Sequence, residues 1–375
     1  MKQSCLCRIG LIALTLALVA CGGAPNGPPA AATPAPASAL EAQADAYLAP
    51  MTQRGDFSGA VLLARGGAIQ FSRGYGMASL EYDIPNTPQT KFRVASITKT
   101  FTALAIMQLQ QQGKLKIDDS ICTYLPDCPA AWQPATIEQL LIHTSGIPDA
   151  LNCPGCPRPP IRASMTIPET IQTVTRFYQD APLVTEAGST YSYSNLGYGL
   201  LGYMIEKVSG QRYEEYLKAT IFGPLAMANT GQDRTSLVLK NRATGYATIN
   251  TLADYNNIDL AYAAGGLYTS AEDLYRWDQA LYTEKLLPAK LRDALFQPRV
   301  HVADSDGEYD YGYGWHLSQR AGHAAVWHGG LLPGFRSILL RYPAEQATVI
   351  VLCNIETVDI DTVSNNLAEM LFSAT

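Results

Sequence analysis

The sequence predicts an α+β fold, in which strands from both chain ends build an antiparallel sheet, helices flank it, and the central region is mainly helical. Three observations carry this. Two β-prone runs, Gly59 to Arg65 and Ala68 to Gly74, are divided by Gly66-Gly67, the turn pair of a hairpin. Three further runs near the other end, Tyr311 to Leu317, Phe335 to Tyr342 and Ala347 to Asn354, are separated by Pro and Gly turns. Between these two sets the apolar spacing is helical, and no internal repeat is visible. A sheet fed by both termini, with helices against it and a helical insertion, is the economical way to bury those strands.

The elements follow in chain order. The first twenty residues begin with Lys2 and Arg8, continue with the apolar run Ile9 to Ala20, and reach Cys21. A run of this length is too short to span a bilayer and has the proportions of a secretory signal. Leu18-Val19-Ala20-Cys21 resembles a bacterial lipobox, which implies that Cys21 becomes the lipidated first residue of the mature chain. Residues 21–38 hold five prolines (Pro25, Pro28, Pro29, Pro34, Pro36) and no charge. Such a segment reads as an extended tether, able at about 3.1 Å per residue to hold a domain off a membrane. The expected organisation is therefore a signal at 1–20, a tether at 21–38 and one folded domain at 39–375. The expected location is a bacterial membrane, on its periplasmic side.

Further along, Ser96 to Gln112 reads as an amphipathic helix stopped by Gly113. Thr136 to His143 opens with a Thr136/Gln139 capping box, Leu196 to Val208 is apolar-periodic, and Ser270 caps Ala271 to Leu281. The length of 375 residues suits one large or two closely packed domains. With 47% hydrophobic and 16% charged residues, the chain is neither disordered nor fibrous. Net charge is 27 minus 33, or −6, and −8 without the signal's two cations. No basic face for nucleic acid is evident.

Of eight cysteines, Cys5 and Cys7 leave with the signal and Cys21 takes lipid. In an oxidising compartment Cys122, Cys128, Cys153 and Cys156 are disulfide candidates. Four cysteines allow three pairings, of which the local one, Cys122 with Cys128 and Cys153 with Cys156, is favoured. Their uneven spacing does not suit zinc. Cys353, in the apolar run Ala347 to Leu352, reads as a buried, inert thiol. His323 and His328 lack a nearby third ligand, so neither a metal nor a cofactor is expected.

Several active-site signatures are absent from the sequence: a Gly-Xaa-Ser-Xaa-Gly elbow, a phosphate loop ending in Gly-Lys-Ser/Thr, and a His-Glu-Xaa-Xaa-His pair. What remains is Ser96-Ile97-Thr98-Lys99, the only Ser-Xaa-Xaa-Lys in the chain. At the first turn of a helix these two side chains share a face. A serine there can also be a plain N-cap. As a nucleophile it needs a base, and bringing a lysine from about 10.4 to about 7 takes roughly 4 to 5 kcal/mol of desolvation or positive potential. The apolar face of Phe101, Ala105 and Ile106 could supply that desolvation.

Tyr193 and Asn195, two apart before the Leu196 helix, offer a phenol for proton transfer and an amide for binding. Tyr255-Asn256-Asn257 repeats the pattern without a following helix and reads as a decoy. Trp327-His328-Gly329-Gly330-Leu331 enters a strand, where paired glycines let a ligand backbone approach a sheet edge.

In this order the three stretches resemble the serine β-lactamase and penicillin-recognising superfamily, in its branch of class C β-lactamases, DD-peptidases and family VIII esterases. Leu140-Leu141-Ile142-His143-Thr144-Ser145-Gly146, Gly197-Tyr198-Gly199-Leu200-Leu201-Gly202 and Gly265 to Leu274 support the resemblance, which covers nearly all of the chain after Ala39. It implies the β-lactamase/transpeptidase-like fold, with Ser96 as the acylated nucleophile and Lys99 and Tyr193 sharing the proton chemistry. Asn195, His328, Gly329 and Gly330 would bind substrate, and the backbone N–H groups of Ser96 and Leu331 would form the oxyanion hole. His143 reads as structural.

One departure matters: His328-Gly329-Gly330 stands where class C β-lactamases carry Lys-Thr-Gly. A permanent cation and a hydroxyl are lost, so a β-lactam carboxylate should be held more weakly unless Arg336 points inward. The expected activity is an esterase or broad acyl hydrolase working through a Ser96 acyl-enzyme on a small ester, amide or D-peptide. The alternatives are a D-amino-acid peptidase, a β-lactamase, or a catalytically silent cell-wall binding protein.

Overall fold

Aliphatic runs at the two ends of the chain meet in one sheet. The computed structural model describes residues 38–149, 159–162, 164–304 and 307–374. Cys21, Cys153 and Cys156 lie outside the described residues, as do the expected signal and nearly all of the tether. Among the described residues the large sheet has eight strands. They are β1 (Gly59–Arg65), β2 (Ala68–Tyr75), β3 (Val300–Asp304), β4 (Gly307–Tyr311), β5 (His316–Arg320), β6 (His323–Leu332), β7 (Phe335–Tyr342) and β8 (Ala347–Cys353). Their spatial order is β3-β4-β5-β6-β7-β8-β1-β2, every neighbour antiparallel. The N-terminal hairpin thus continues the C-terminal sheet by pairing β1 with β8, Gly59 opposite Cys353 and Arg65 opposite Ala347.

The strand period of two separates two cores. Val61 and Leu63 of β1 and Val349 and Val351 of β8 face helices α1 (Ala39–Arg54) and α7 (Ile360–Ser373), meeting Leu40, Ala44, Leu48, Leu367 and Leu371. Leu62, Ile350 and Leu352 face the opposite, larger core. That core is built on α2 (Thr98–Gln111), α3 (Ile137–Leu141), α4 (Ile167–Phe177), α5 (Asn195–Ser209) and α6 (Ala271–Ala280). Each fully buried Leu or Ile here contributes roughly 1.5–3 kcal/mol relative to exposure.

Local signals terminate the helices as the sequence indicates. Thr136 and Gln139 exchange both bonds of the capping box at α3, and the Ser270 hydroxyl accepts from the Asp273 N–H at α6. Cys122 and Cys128 are joined in a disulfide, and Cys353 is a buried free thiol whose titration burial pushes far up. Among the described residues no helix is long and apolar enough to cross a membrane.

Two expectations need correction. The run Tyr311 to Leu317 is two strands, because the chain turns between β4 and β5. Gly314 adopts φ +79°, and a Cβ there would sit 2.9 Å from the Lys99 carbonyl oxygen. This glycine lets the turn press directly onto α2. The helix expected from Ser96 begins with a single 3₁₀ turn, Ala95–Ile97, and becomes α-helical only at Thr98. Ala95 lies in the left-handed region at φ 45°, which is incompatible with an α-helical start and is a strain of the kind found at functional sites.

Candidate active site

Ser96 sits in the middle of that 3₁₀ turn, and its hydroxyl caps nothing: neither the turn nor α2 has a side-chain cap. Instead it meets two groups. Lys99 Nζ is within hydrogen-bond distance of Ser96 Oγ at 3.0 Å, and the Tyr193 hydroxyl donates to the same oxygen at 2.8 Å. Lys99 also donates to Asn195 Oδ1 and to the Ala264 carbonyl, both at 2.8 Å. Two segments 97 residues apart in the chain thus meet at one oxygen.

Burial sets the electrostatics. Lys99 is completely buried, and desolvation pulls its ammonium well below the ordinary lysine range against a weaker opposing pull from the Asp149 carboxylate. Burial raises the Tyr193 phenol, so it remains a proton donor. Ser194, the N-cap of α5, places Tyr193 and Asn195 on either side of itself and accepts from the Gly197 N–H.

On the third side, β6 is covered by β5 only from His323 to Trp327. Among the described residues its continuation through His328, Gly329, Gly330 and Leu331 pairs with β7 alone, which leaves the other edge of the strand without a strand partner there. Gly330 is required by close approach: a Cβ there would lie 2.3 Å from the Val94 carbonyl oxygen and 2.4 Å from Ser337 Oγ. Ser337 itself donates to that Val94 carbonyl at 2.9 Å, clamping β7 to the segment before Ser96. A cleft of about 1020 Å³ is lined by Ser96, Tyr193, Asn195, His328, Leu331 and Arg336, with Gly329 and Gly330 in its wall.

His328 differs from the cation of the Lys-Thr-Gly pattern in more than charge. It is buried, and desolvation together with the nearby Lys99 lowers its pKa to about 3. Its Nδ1 contacts the Gly329 carbonyl at 2.7 Å and its Nε2 the Tyr311 hydroxyl at 3.2 Å. Arg336 lines the cleft and donates to the backbone carbonyls of Leu332 at 3.4 Å and Phe335 at 3.2 Å. Tyr255 and Asn257 do not line this cleft. They line a second cavity of about 540 Å³, which includes Ile167, Ile171, Val174 and Leu196 and shares Asn195 with the first.

Three groups at the site escaped the sequence reading. Asp149 Oδ2 accepts from Ser194 Oγ and the Leu196 N–H, each at 3.0 Å, and so fixes the start of α5. Ser337 and Tyr311 come from strands whose periodicity marks them only as sheet residues. A short polar residue before the aliphatic run Ile338-Leu339-Leu340, as Ser337 is in β7, was the one available signal.

A hydroxyl held between a buried amine and a phenol, at the open edge of an antiparallel sheet, defines a serine hydrolase site. The beta-lactamase family profile matches residues 44–370, and the chain belongs to that family. It is 31% identical over 319 residues to a putative penicillin-binding protein, PbpX, of Bacillus subtilis, covering 84% of this chain and 75% of that one. It is 29% identical over 329 residues to Protein flp of Staphylococcus aureus, spanning 84% of this chain and 63% of that protein's length. The crystal structure of a penicillin binding protein from Bacillus halodurans superimposes with a TM-score of 0.74 at 28% identity, over 86% of this chain and 99% of that one.

Proposed function

We propose that this chain is an esterase or broad acyl hydrolase that works through an acyl-enzyme on Ser96. The observation that carries the mechanism is the set of partners around Lys99. A neutral amine has two hydrogens and one lone pair. Two of its three neighbours, Asn195 Oδ1 and the Ala264 carbonyl, can only accept, and the third is the Ser96 hydroxyl. With the two hydrogens committed to the acceptors, the lone pair faces the Ser96 proton. Burial keeps the amine neutral enough to use it.

Lys99 Nζ takes the proton as Ser96 Oγ bonds to the substrate carbonyl carbon, and the carbonyl oxygen takes the negative charge. The N–H groups of Ser96 and Leu331 receive that oxyanion. Tyr193 gives its proton to the departing alkoxide as the ester C–O bond breaks, and Lys99 returns a proton to Tyr193. Water then repeats the sequence on the acyl-enzyme, releasing the acid.

Ester substrates are favoured by the neutral imidazole of His328, which offers no charge to a substrate carboxylate, and by the apolar wall of Ile167, Ile171, Val174 and Leu196 in the second cavity beside Asn195. The second reading is a D-amino-acid peptidase, or a β-lactamase, with Arg336 in the cleft as the cation for a substrate carboxylate. A lipid on Cys21, carrying the domain on the periplasmic side of a membrane, is part of the same proposal and rests on the sequence.

The test is steady-state turnover and intact-mass analysis with a short-chain nitrophenyl ester, a penicillin and a peptide ending in D-Ala-D-Ala. The expected result is rapid ester turnover without a lasting penicillin adduct. A persistent penicillin adduct with peptide cleavage replaces the esterase reading by the peptidase one. Binding without acylation by any of the three makes the chain a silent binding protein.

A further inference from the structure

A chain of hydrogen bonds runs beneath the site from the Tyr193 segment to the β6 edge, and its direction follows from chemistry. The Ser194 backbone N–H can only donate, and it donates to His143 Nδ1 at 3.0 Å. In a neutral ring the proton of His143 is then on Nε2, which lies 3.3 Å from the Tyr311 hydroxyl. At the other end the Gly329 carbonyl can only accept, so His328 carries its proton on Nδ1, 2.7 Å away. His328 Nε2 is then bare, and the Tyr311 hydroxyl 3.2 Å from it is the donor it needs. One hydroxyl, with one proton and free lone pairs, takes a bond from the first imidazole and gives one to the second.

We infer that Tyr311 of β4 is a positioning residue of the active site: its hydroxyl locks His143 and His328 in opposite tautomers and ties the segment carrying Tyr193 and Asn195 to the backbone of β6.

The surroundings suit this role. His143, Tyr311 and His328 are all buried, so a broken link leaves ring nitrogens without water to replace it. Burial lowers both imidazoles, in agreement with neutral rings. The neighbouring Tyr198 gives its own proton to the Leu141 carbonyl at 2.8 Å, so toward Tyr311 its oxygen can only accept, and a phenol oxygen is a weaker acceptor than the bare Nε2 of His328. The His143 ring packs on Tyr193 with centroids 4.4 Å apart, so a turn of His143 moves the phenol that contacts Ser96. His143 also sits in the left-handed region at φ 60°, strain that a fixed side chain helps to hold.

The test has a readout that needs no substrate, so its failure is distinct from failure of the esterase reading, on which only the kinetic arm rests. Two-bond proton–nitrogen correlation spectra of the histidine-labelled protein should show His143 protonated on Nε2 and His328 on Nδ1. In Tyr311→Phe, which keeps the ring, the His328 signals should shift or exchange between tautomers. Ester kcat should fall at least about tenfold with little change in KM. His328 protonated on Nε2 in the unaltered protein, or imidazole signals and kcat untouched in Tyr311→Phe, would overturn the inference.

Discussion

In the proposed mechanism Lys99 is the residue on which the chemistry turns, because only a neutral amine can take the Ser96 proton. Its pKa is depressed by burial, so the neutral fraction grows as pH rises through that lowered value. The pH profile of kcat/KM should therefore rise on an acid limb lying below the ordinary lysine range. The raised Tyr193 phenol keeps its proton, so no alkaline fall is expected within the ordinary phenol range. Lys99→Arg, which places a permanent cation at the same oxygen, should lose at least about a hundredfold in turnover. Full activity in that variant would remove lysine from the mechanism. This pair was legible in the sequence because it is local: two residues three apart on one helical turn share a face wherever the helix packs.

At the level of elements, the free edge of β6 and the 3₁₀ turn before α2 form one joint. Gly330→Ala would press a Cβ against the Val94 carbonyl and Ser337, forcing the strand away from Ser96. Since a displacement of about 1 Å at a reacting centre costs on the order of a hundredfold, turnover should drop on that scale while circular dichroism stays native. Leu331→Pro tests the oxyanion assignment separately. Proline removes the N–H together with the exposed Leu331 side chain and fixes φ, and an outward-facing N–H on an edge without a strand partner contributes nothing to the sheet. Loss of one oxyanion donor should cost about 10²–10³ in kcat; an unimpaired kcat would exclude that N–H.

The strands themselves were legible from alternation and turn residues, down to the Gly66-Gly67 hairpin. The break between Tyr311 and His316 was not, because Gly312 and Gly314 sit among aromatic residues that read as one strand. The requirement for Gly314 comes from α2, more than two hundred residues earlier.

Across the whole molecule, residues from separate segments make contacts that no local pattern announces. Asp149 meets Ser194, Ser337 meets Val94, and Tyr311 joins His143 to His328. The buried imidazoles carry a global consequence. His143, His316 and His328 have folded pKa values depressed below their unfolded values, so the unfolded chain binds more protons as pH falls. Their contribution is complete above about pH 6.5 and is lost on the way down to the folded values. Lowering the pH from 7.5 to 5.5 should therefore destabilise the fold, by on the order of 1 kcal/mol for each ring, which a urea unfolding midpoint should register as a fall. His301, exposed between Asp310 and Glu308, shifts upward and works in the opposite direction. A midpoint that is flat over this interval would mean that these three rings are not neutral in the fold.

The most direct test of the mechanism is to trap the acyl-enzyme with a slowly released activated ester and map the modified peptide by mass spectrometry. The mass of one acyl group on the peptide containing Ser96, absent in Ser96→Ala together with ester turnover, is the predicted result. Acyl transfer to another residue, or a Ser96→Ala protein that hydrolyses the ester as before, would contradict it.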